Sequence, residues 1–484
     1  MPDFDVAVIG AGAAGLAVAS ICGGLGLRTA LIERGRMGGD RLNHGGVPSR
    51  ALLAAAQAAA EARRAGRFGL RLPEPEIDWA GVRAHVQGTI ARLAPDHGAA
   101  RYRGMGVEVI EASAHFTDPD RLEAGGRGLT FRRAVIAAGS SPIVPDIPGL
   151  DGVPWLTTET LFDLEEPPGH LLVLGGDTIG VEMAQAHARL GCLVTIIDPA
   201  PRILAREDED LAEGVRTALL AEGVTLREGA AVTRFEQLEP DSRQATAGVV
   251  AVLTDGTRVA GTHLLLAVGR APRLAGLDLQ AGNIAATPQG VRTRANLRSV
   301  SNPRVWAVGS IADPRGIGPR GFTHLASQHA GVVARSMLFR LPGTRLDYAA
   351  LPRLVATDPE LVQVGLTEAE ARAAGHRDLR IHRWPLSEND RALAEGRPEG
   401  LVKLVISGRG RLLGAGLLAP RAGEMAGTYG LLIGRRLPLS ALASLVLPYP
   451  SLAEAGTRAA GEFLAPKFLS PFTKRVIGLL KRLP

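Results

Sequence analysis

Apolar residues along this chain gather in short unbroken runs rather than in alternating ones. "DFDVAVIG" opens with such a run, followed by "AGAAGLAVASICGGLGLRTALIE", in which small and apolar residues lead to a second run ending at Glu33. Unbroken runs punctuated by glycine suit strands covered on both faces, and the intervening segment has the length of one helix. The same order of run, glycine turn, helix and run returns in "HLLVLGGDTIGVEMAQAHARLGCLVTIID", which ends at Asp198. Two further runs, "VIAAGSSP" and "LLLAVGRAP", end in small-residue turns and read as returns from one domain to the next. "VWAVGSIAD" adds another strand, and a helix is expected from about Thr323. From about Leu346 the rhythm shortens to strands such as "LVQVGLT" and "LVKLVIS", with helices in "LTEAEARAAG" and "LSALASLV". The pattern predicts an α/β chain with two Rossmann-like dinucleotide-binding domains and a C-terminal α+β domain. The alanine-rich stretch 48–65 reads as a packing helix, and "GRPEG" and "PDSRQATAG" as surface turns.

Length and composition narrow this picture. A chain of 484 residues exceeds one ordinary core and predicts two to four domains. No run approaches the roughly 18 apolar residues of a membrane span. The first strand begins almost at Met1, which leaves no room for a secretion signal, so a cytoplasmic location is expected. The net charge is +6 and the isoelectric point near 9.8, yet the basic residues are nearly all Arg and are interleaved with Asp and Glu. This reads as arginine bias, and no nucleic-acid partner is expected. The only lysines are Lys403, Lys467, Lys474 and Lys481, three of them in the last segment. Cys22 and Cys192 are the only cysteines and lack C-x-x-C spacing, so both are expected to be small buried hydrophobes, with no disulfide and no metal.

The chemistry lies in the glycine turns. Gly10, Gly12 and Gly15 form G-x-G-x-x-G between a strand and a helix, where backbone approaches a pyrophosphate at the helix N-terminus. Glu33, at the end of the next strand, is placed to accept from an adenosine ribose. The second turn keeps Gly175 and Gly180, but Asp177 holds the middle position. A carboxylate there would repel a pyrophosphate, unless it serves only to cap its own helix. If nicotinamide binds, Asp198 favours NADH over its ribose-phosphorylated relative.

With "GG...LN.GG.PSRALL", "DPELVQVGLTEAEA", "LGAGLLAPRAGEM" and "YPSLAEA", the residues from Asp5 to about Glu462 resemble the flavin-dependent pyridine nucleotide-disulfide oxidoreductases. These include dihydrolipoamide dehydrogenase, mercuric reductase and soluble transhydrogenase. The resemblance implies FAD, with NADH as donor, and a homodimer whose active site is completed by the partner's C-terminal domain. It implies an FAD domain from 1–150 and 271–343, an NAD(P) domain at 151–270 and a dimerisation domain at 344–463, with a basic tail at 464–484. It extends the cofactor site to Gly39, Ala138, Gly139, Gly269, Gly309 and Ser310. Ser310 stands where the family has an Asp on the flavin side chain, and Asp313 lies three residues late.

The family passes hydride from NAD(P)H to FAD and on to a C-x-x-x-x-C disulfide. Those cysteine positions are Arg41 and Gly46 here. The family lysine beside the flavin is Arg50, its glutamate partner matches Glu182, and the catalytic His is Tyr449, followed by the retained Glu454. Neither Arg nor Gly forms a thiolate, so disulfide chemistry is expected to be lost. The resemblance sets Arg41, His44 and Tyr449 of the partner subunit around the gap at Gly46, as an acceptor pocket of anionic preference or as mere packing residues. Tyr449 is expected to face this gap, shield the flavin or bond Glu454. Three outcomes follow: electron transfer from NADH through flavin to a small-molecule acceptor such as a quinone, another nicotinamide nucleotide or oxygen; oxidation of an organic substrate without nicotinamide; or a non-catalytic scaffold.

In the tail, Ser470 and Pro471 are an N-cap and first-turn pair. Phe472, Val476, Leu479, Leu480 and Leu483 then share one helical face, with Lys474, Arg475, Lys481 and Arg482 opposite. Peripheral contact with an anionic membrane and packing on its own dimer are both open to such a helix.

Overall fold

The computed structural model describes residues 1–239 and 248–481, so most of the turn expected at 240–248, together with Arg482 and Leu483, lies outside the described residues. Val6, Ala7 and Val8 have no exposed surface, because the strand Phe4–Ile9 pairs in parallel with Thr29–Glu33 on one side and Arg127–Ile136 on the other. Val107–Glu111 extends one edge in parallel, and Val305–Ala307 joins Arg127–Ile136 from far along the sequence. One apolar core therefore unites residues 4–137 with 277–337. The helix Ala13–Gly24 covers this sheet, and its alanines and glycines allow the close approach that a dinucleotide turn requires.

The second sheet runs in the order Thr225–Glu228, Leu193–Asp198, His170–Leu174, His263–Leu266, Trp155–Leu156, all parallel. The two small-residue returns pair with each other: Ser140–Pro142 lies antiparallel to Arg270–Pro272 and forms a two-stranded ribbon between the domains. After residue 350 an antiparallel five-stranded sheet appears, with helices Ala422–Gly434 and Glu454–Phe468 packed in its core. The helix expected near Thr323 begins at Leu325 and runs to Val333.

Three contacts fix the layers. The alanine face of helix Gly46–Arg64 shares a core with helix Thr178–Arg189, where Ala51, Leu52 and Ala56 meet Val181 and Met183. Full burial of a side chain such as Leu52 contributes about 1.5–3 kcal/mol. Asp358 binds Arg64, Arg189 and Arg397; burial pushes its carboxyl up, but Arg397 and Arg189 outweigh burial and hold it near about 2. Arg397 belongs to the "GRPEG" stretch, so that turn is anchored inward rather than being freely solvated. Lys403, 4% exposed, spans Asp208, Asp210 and Glu368 at 2.7–3.2 Å and ties the second sheet's layer to the C-terminal one.

Candidate active site

The two glycine turns share one geometry. Gly10 and Gly175 have φ of +102° and +107°, where a side chain would strike the carbonyl of Ala137 or Ala267. A Cβ at Gly15 or Gly180 would lie within 2 Å of the Gly10 or Gly175 carbonyl oxygen. The acids at the strand ends also match. Glu33 accepts from the N–H of Ala11 at 2.6 Å and of Gly35 at 2.9 Å, and Asp198 from Gly176 and Ala200. The turns differ at the middle position. A Cβ on Gly12 would meet nothing nearer than Gly39 Cα at 4.0 Å, so its openness serves something other than protein packing. Asp177, exposed, is instead the N-cap of Thr178–Arg189, with Oδ1 accepting from the N–H of Thr178 at 2.9 Å.

From the first turn a crevice runs past Glu33, Gly39, Asp40, Ala138 and Gly139 and continues beside Arg41, His44, Gly46, Arg50, Glu182, Gly309 and Ser310. Its length, the open face of Gly12 and the acid at one end fit a dinucleotide such as FAD. At the far end Arg50 Nη1 lies 3.2 Å from Glu182 Oε2, while the N–H of Ala356 donates to Oε1 at 2.7 Å. Burial pushes the Glu182 carboxyl above its ordinary range, and Arg50 and Ala356 only partly offset this.

Matches to known proteins cover this architecture in order. Residues 4–331 match the pyridine nucleotide-disulphide oxidoreductase family and 351–460 match its dimerisation domain. The chain belongs to this family. Its relatives include a mercuric reductase of Streptomyces lividans, 35% identical over 95% of this chain and 96% of that protein. A dihydrolipoyl dehydrogenase 2 of Haloarcula marismortui is 33% identical over 94% and 96%. The HOCl-induced flavoprotein disulfide reductase RclA from Escherichia coli, solved as its Cu(II) complex, superposes with a TM-score of 0.83 at 27% identity, covering 94% of this chain and 98% of its own. FAD and NAD(P)H are the cofactors of the family, and the dimerisation domain supports a homodimer.

In this member of the pyridine nucleotide-disulphide oxidoreductase family Arg41, expected at the first cysteine position, is exposed on the short helix Gly39–Asn43. Gly46, expected at the second, has no atom beyond its chain neighbours and its own helix backbone within 4 Å of where a Cβ would stand. Cys22 and Cys192 are free and buried elsewhere, and burial pushes their thiols up to about 12 and about 11. Ser310 lines the crevice in a one-turn helix, whereas Asp313 faces away and lies 3.7 Å from Arg292. Gly269 has φ of +115° at the ribbon that joins the domains.

Tyr449 departs from the contact weighed for it. Its hydroxyl donates to Asp390 Oδ2 at 2.7 Å, not to Glu454, and this hydrogen bond, together with the negative charge of Asp390, raises its pKa. Glu454 instead accepts from the N–H of Ser451 at 3.0 Å, a local bond to the turn that precedes its own helix. Neither residue lines the crevice of its own chain, and Tyr449 is 70% exposed.

Sequence reasoning passed over three residues that the fold brings to the site. Arg270 donates to the Ser140 hydroxyl and carbonyl, to Thr158 and to Asp40, and thereby locks the ribbon to the crevice wall. His329 takes the N–H of Gly309 on Nδ1 at 3.0 Å and meets the Tyr348 hydroxyl through Nε2 at 2.9 Å, which fixes the turn that carries Ser310. Phe322 stacks on His324 at the crevice rim, with ring centres 5.3 Å apart. Arg270 directly follows Gly269 in "AVGRAP", the signal by which it was discoverable; the other two have no local signature.

Proposed function

We propose that this chain is an FAD-dependent oxidoreductase that takes electrons from NADH and delivers them to a small-molecule acceptor other than a disulfide. The observation that carries this reading is the wall of the crevice: Arg41, Gly46, Arg50 and Glu182 stand there, and no described lining residue is a cysteine. A thiolate is required to attack a disulfide or to ligate a soft metal such as mercuric ion, and both thiols of this chain are buried with raised pKa values. Bound FAD would supply the two-electron chemistry. The chain's own residues supply position and charge. Glu33 and the open Gly12 face orient the adenosine and pyrophosphate, the Arg50 guanidinium presents positive charge at the far end, and Gly46 leaves room for an acceptor. Arg41 and His44 add donors at the entrance, which favours a planar or anionic acceptor. Tyr449 of the partner subunit closes this mouth in the homodimer, as the family's dimerisation mode implies.

The test is anaerobic. Purified protein is mixed with NADH and the flavin absorbance followed, and the reduced protein is then offered a soluble quinone, oxygen, a nicotinamide analogue, lipoamide and an aromatic disulfide. Bleaching by NADH and reoxidation by a non-disulfide acceptor support the proposal. Turnover with either disulfide at a rate comparable to the best acceptor overturns it.

The terminal helix Pro471–Leu480 forms with Ser470 as its cap, and Phe472 and Leu479 are 75% and 67% exposed in the single chain. No helix among the described residues is long and apolar enough to cross a membrane. Peripheral contact of this helix with an anionic lipid surface belongs to the same proposal, because it would bring the crevice close to membrane quinones. A chain ending at Ala465 that sediments with anionic vesicles as well as the full chain does removes that part.

A further inference from the structure

The dinucleotide crevice opens at the carboxyl ends of the first sheet's strands, past Ile9, Ile32 and Ile136. A second cavity lies at the opposite end of the sheet. The register pairs Phe4 with Phe131, Val6 with Arg133 and Val305 with Ala134, so Arg132 and Arg133, within the strand Arg127–Ile136, and Arg304, just before Val305–Ala307, sit near the end of the parallel pairing that lies away from the crevice. Arg298 and Arg340 bring the arginines of the lining to five, and no described residue that lines the cavity is acidic. The Asp5 carboxylate lies 3.7 Å from Arg132 but also 3.3 Å from Arg28, so it is shared away from the group. Arg298 is held in place by Nε donating to the Pro303 carbonyl at 2.8 Å and by its guanidinium lying 5.5 Å from the Trp306 ring. Burial pulls the Arg133 pKa below its ordinary value, and repulsion from Arg340 and Arg132 adds to this.

Five like charges gathered beside one shared counter-charge, Asp5, repel one another, and a protein that keeps them so arranged carries a standing destabilisation. A single phosphate satisfies two or three guanidinium groups. Five of them converging on one cavity, rather than running as a stripe along the surface, match an anion with several phosphates in a compact cluster. We propose that this cavity is a binding site for a small polyphosphorylated anion, separate from the dinucleotide crevice. Such a ligand would engage the flavin-binding domain from its rear edge.

The probe is inorganic tripolyphosphate, titrated calorimetrically into the full-length, flavin-loaded dimer at low salt, with orthophosphate in parallel. The test variant is Arg304→Gln with Arg340→Asn. Both residues are exposed, and asparagine tolerates the positive φ of 53° at position 340. The expected result is one tripolyphosphate site per chain, at least about tenfold tighter than orthophosphate, weakening as salt rises and at least about tenfold weaker in the double variant. An unchanged flavin spectrum and melting temperature show that the variant is folded. Absence of tripolyphosphate binding, or equal binding by the double variant, overturns the proposal. Phe339 and Leu341 at 60% and 51% exposure lie next to this cavity, so vesicles containing anionic phospholipid form a separate arm. Vesicle binding that depends on Arg304 and Arg340, with no response to tripolyphosphate, identifies a lipid surface as the phosphate source and also overturns the small-anion proposal.

Discussion

Asp177→Asn isolates the one glycine position at which the second nucleotide turn departs from the first. Asparagine caps helices as well as aspartate does, so the bond to the Thr178 N–H survives and the stability change is expected to stay within about 0.5 kcal/mol. What disappears is a negative charge at a helix N-terminus, the place where a pyrophosphate would lie. Two unit charges about 6 Å apart repel by about 0.7 kcal/mol in water and about 2.8 kcal/mol at an effective dielectric constant of ~20. Asp177 is exposed, which favours the weaker end of that range, equivalent to about a three- to tenfold gain in NADH affinity. The assay is the concentration dependence of flavin bleaching in an anaerobic stopped-flow cell, at low and at high salt. The gain should shrink at high salt, since screening already weakens the repulsion in the parent. An NADH affinity unchanged by the substitution at low salt would falsify the idea that the Asp177 carboxylate competes for the phosphate position.

Other predictions concern the residues around the crevice. In a double-mutant cycle of Arg50→Ala and Glu182→Gln followed by urea denaturation, the coupling is expected at about 1–2 kcal/mol, near the lower end for a charge-assisted bond because the Arg50 side chain is 45% exposed; a coupling below about 0.5 kcal/mol would show the pair to be incidental. Arg270→Ala should loosen the joint between the first two domains, at a cost of about 2 kcal/mol, and should weaken flavin retention on dilution; unchanged retention would exclude a positioning role. His187 and His329 are buried and neutral, with pKa values pushed by burial from an ordinary 6.5 down to about 4. The unfolded chain therefore takes up their protons first as pH falls, so this stability is present above about pH 6.5 and is lost progressively toward about pH 4, at up to about 3 kcal/mol for each group. His329→Asn should flatten the pH dependence of the urea midpoint between about pH 7 and about pH 5, and a slope equal to the parent's would refute the assignment.

How much of this protein could be read along the chain depends on how local the cause is. The dinucleotide turns were legible because strand, glycine turn, helix and terminal acid are contiguous, and Gly10 and Gly15 are required by atoms that the same fold places beside them. The cap at Asp177, the cap at Ser470 and the burial of both cysteines are likewise short-range consequences of residue type. Arg50 and Glu182 are 132 positions apart, and only the family pattern joined them; the fold explains their meeting through alanines that let two helices pack closely.

Tyr449 shows where local reading fails. Its neighbour in sequence, Glu454, is taken by the backbone of Ser451, and the hydroxyl finds Asp390, 59 positions earlier. The arginine cavity is a stronger case. Arg132, Arg133, Arg298, Arg304 and Arg340 look along the chain like so many other scattered arginines among balancing acids, and the sequence correctly implied no basic run. Sequence alone determined the fold class, the two nucleotide turns and the presence of only two cysteines with no paired spacing, because each depends on residues a few positions apart or on residue identity. Only the tertiary structure decided which charges face one another, because strand register and helix packing bring together groups whose separation in sequence carries no information about their distance in space.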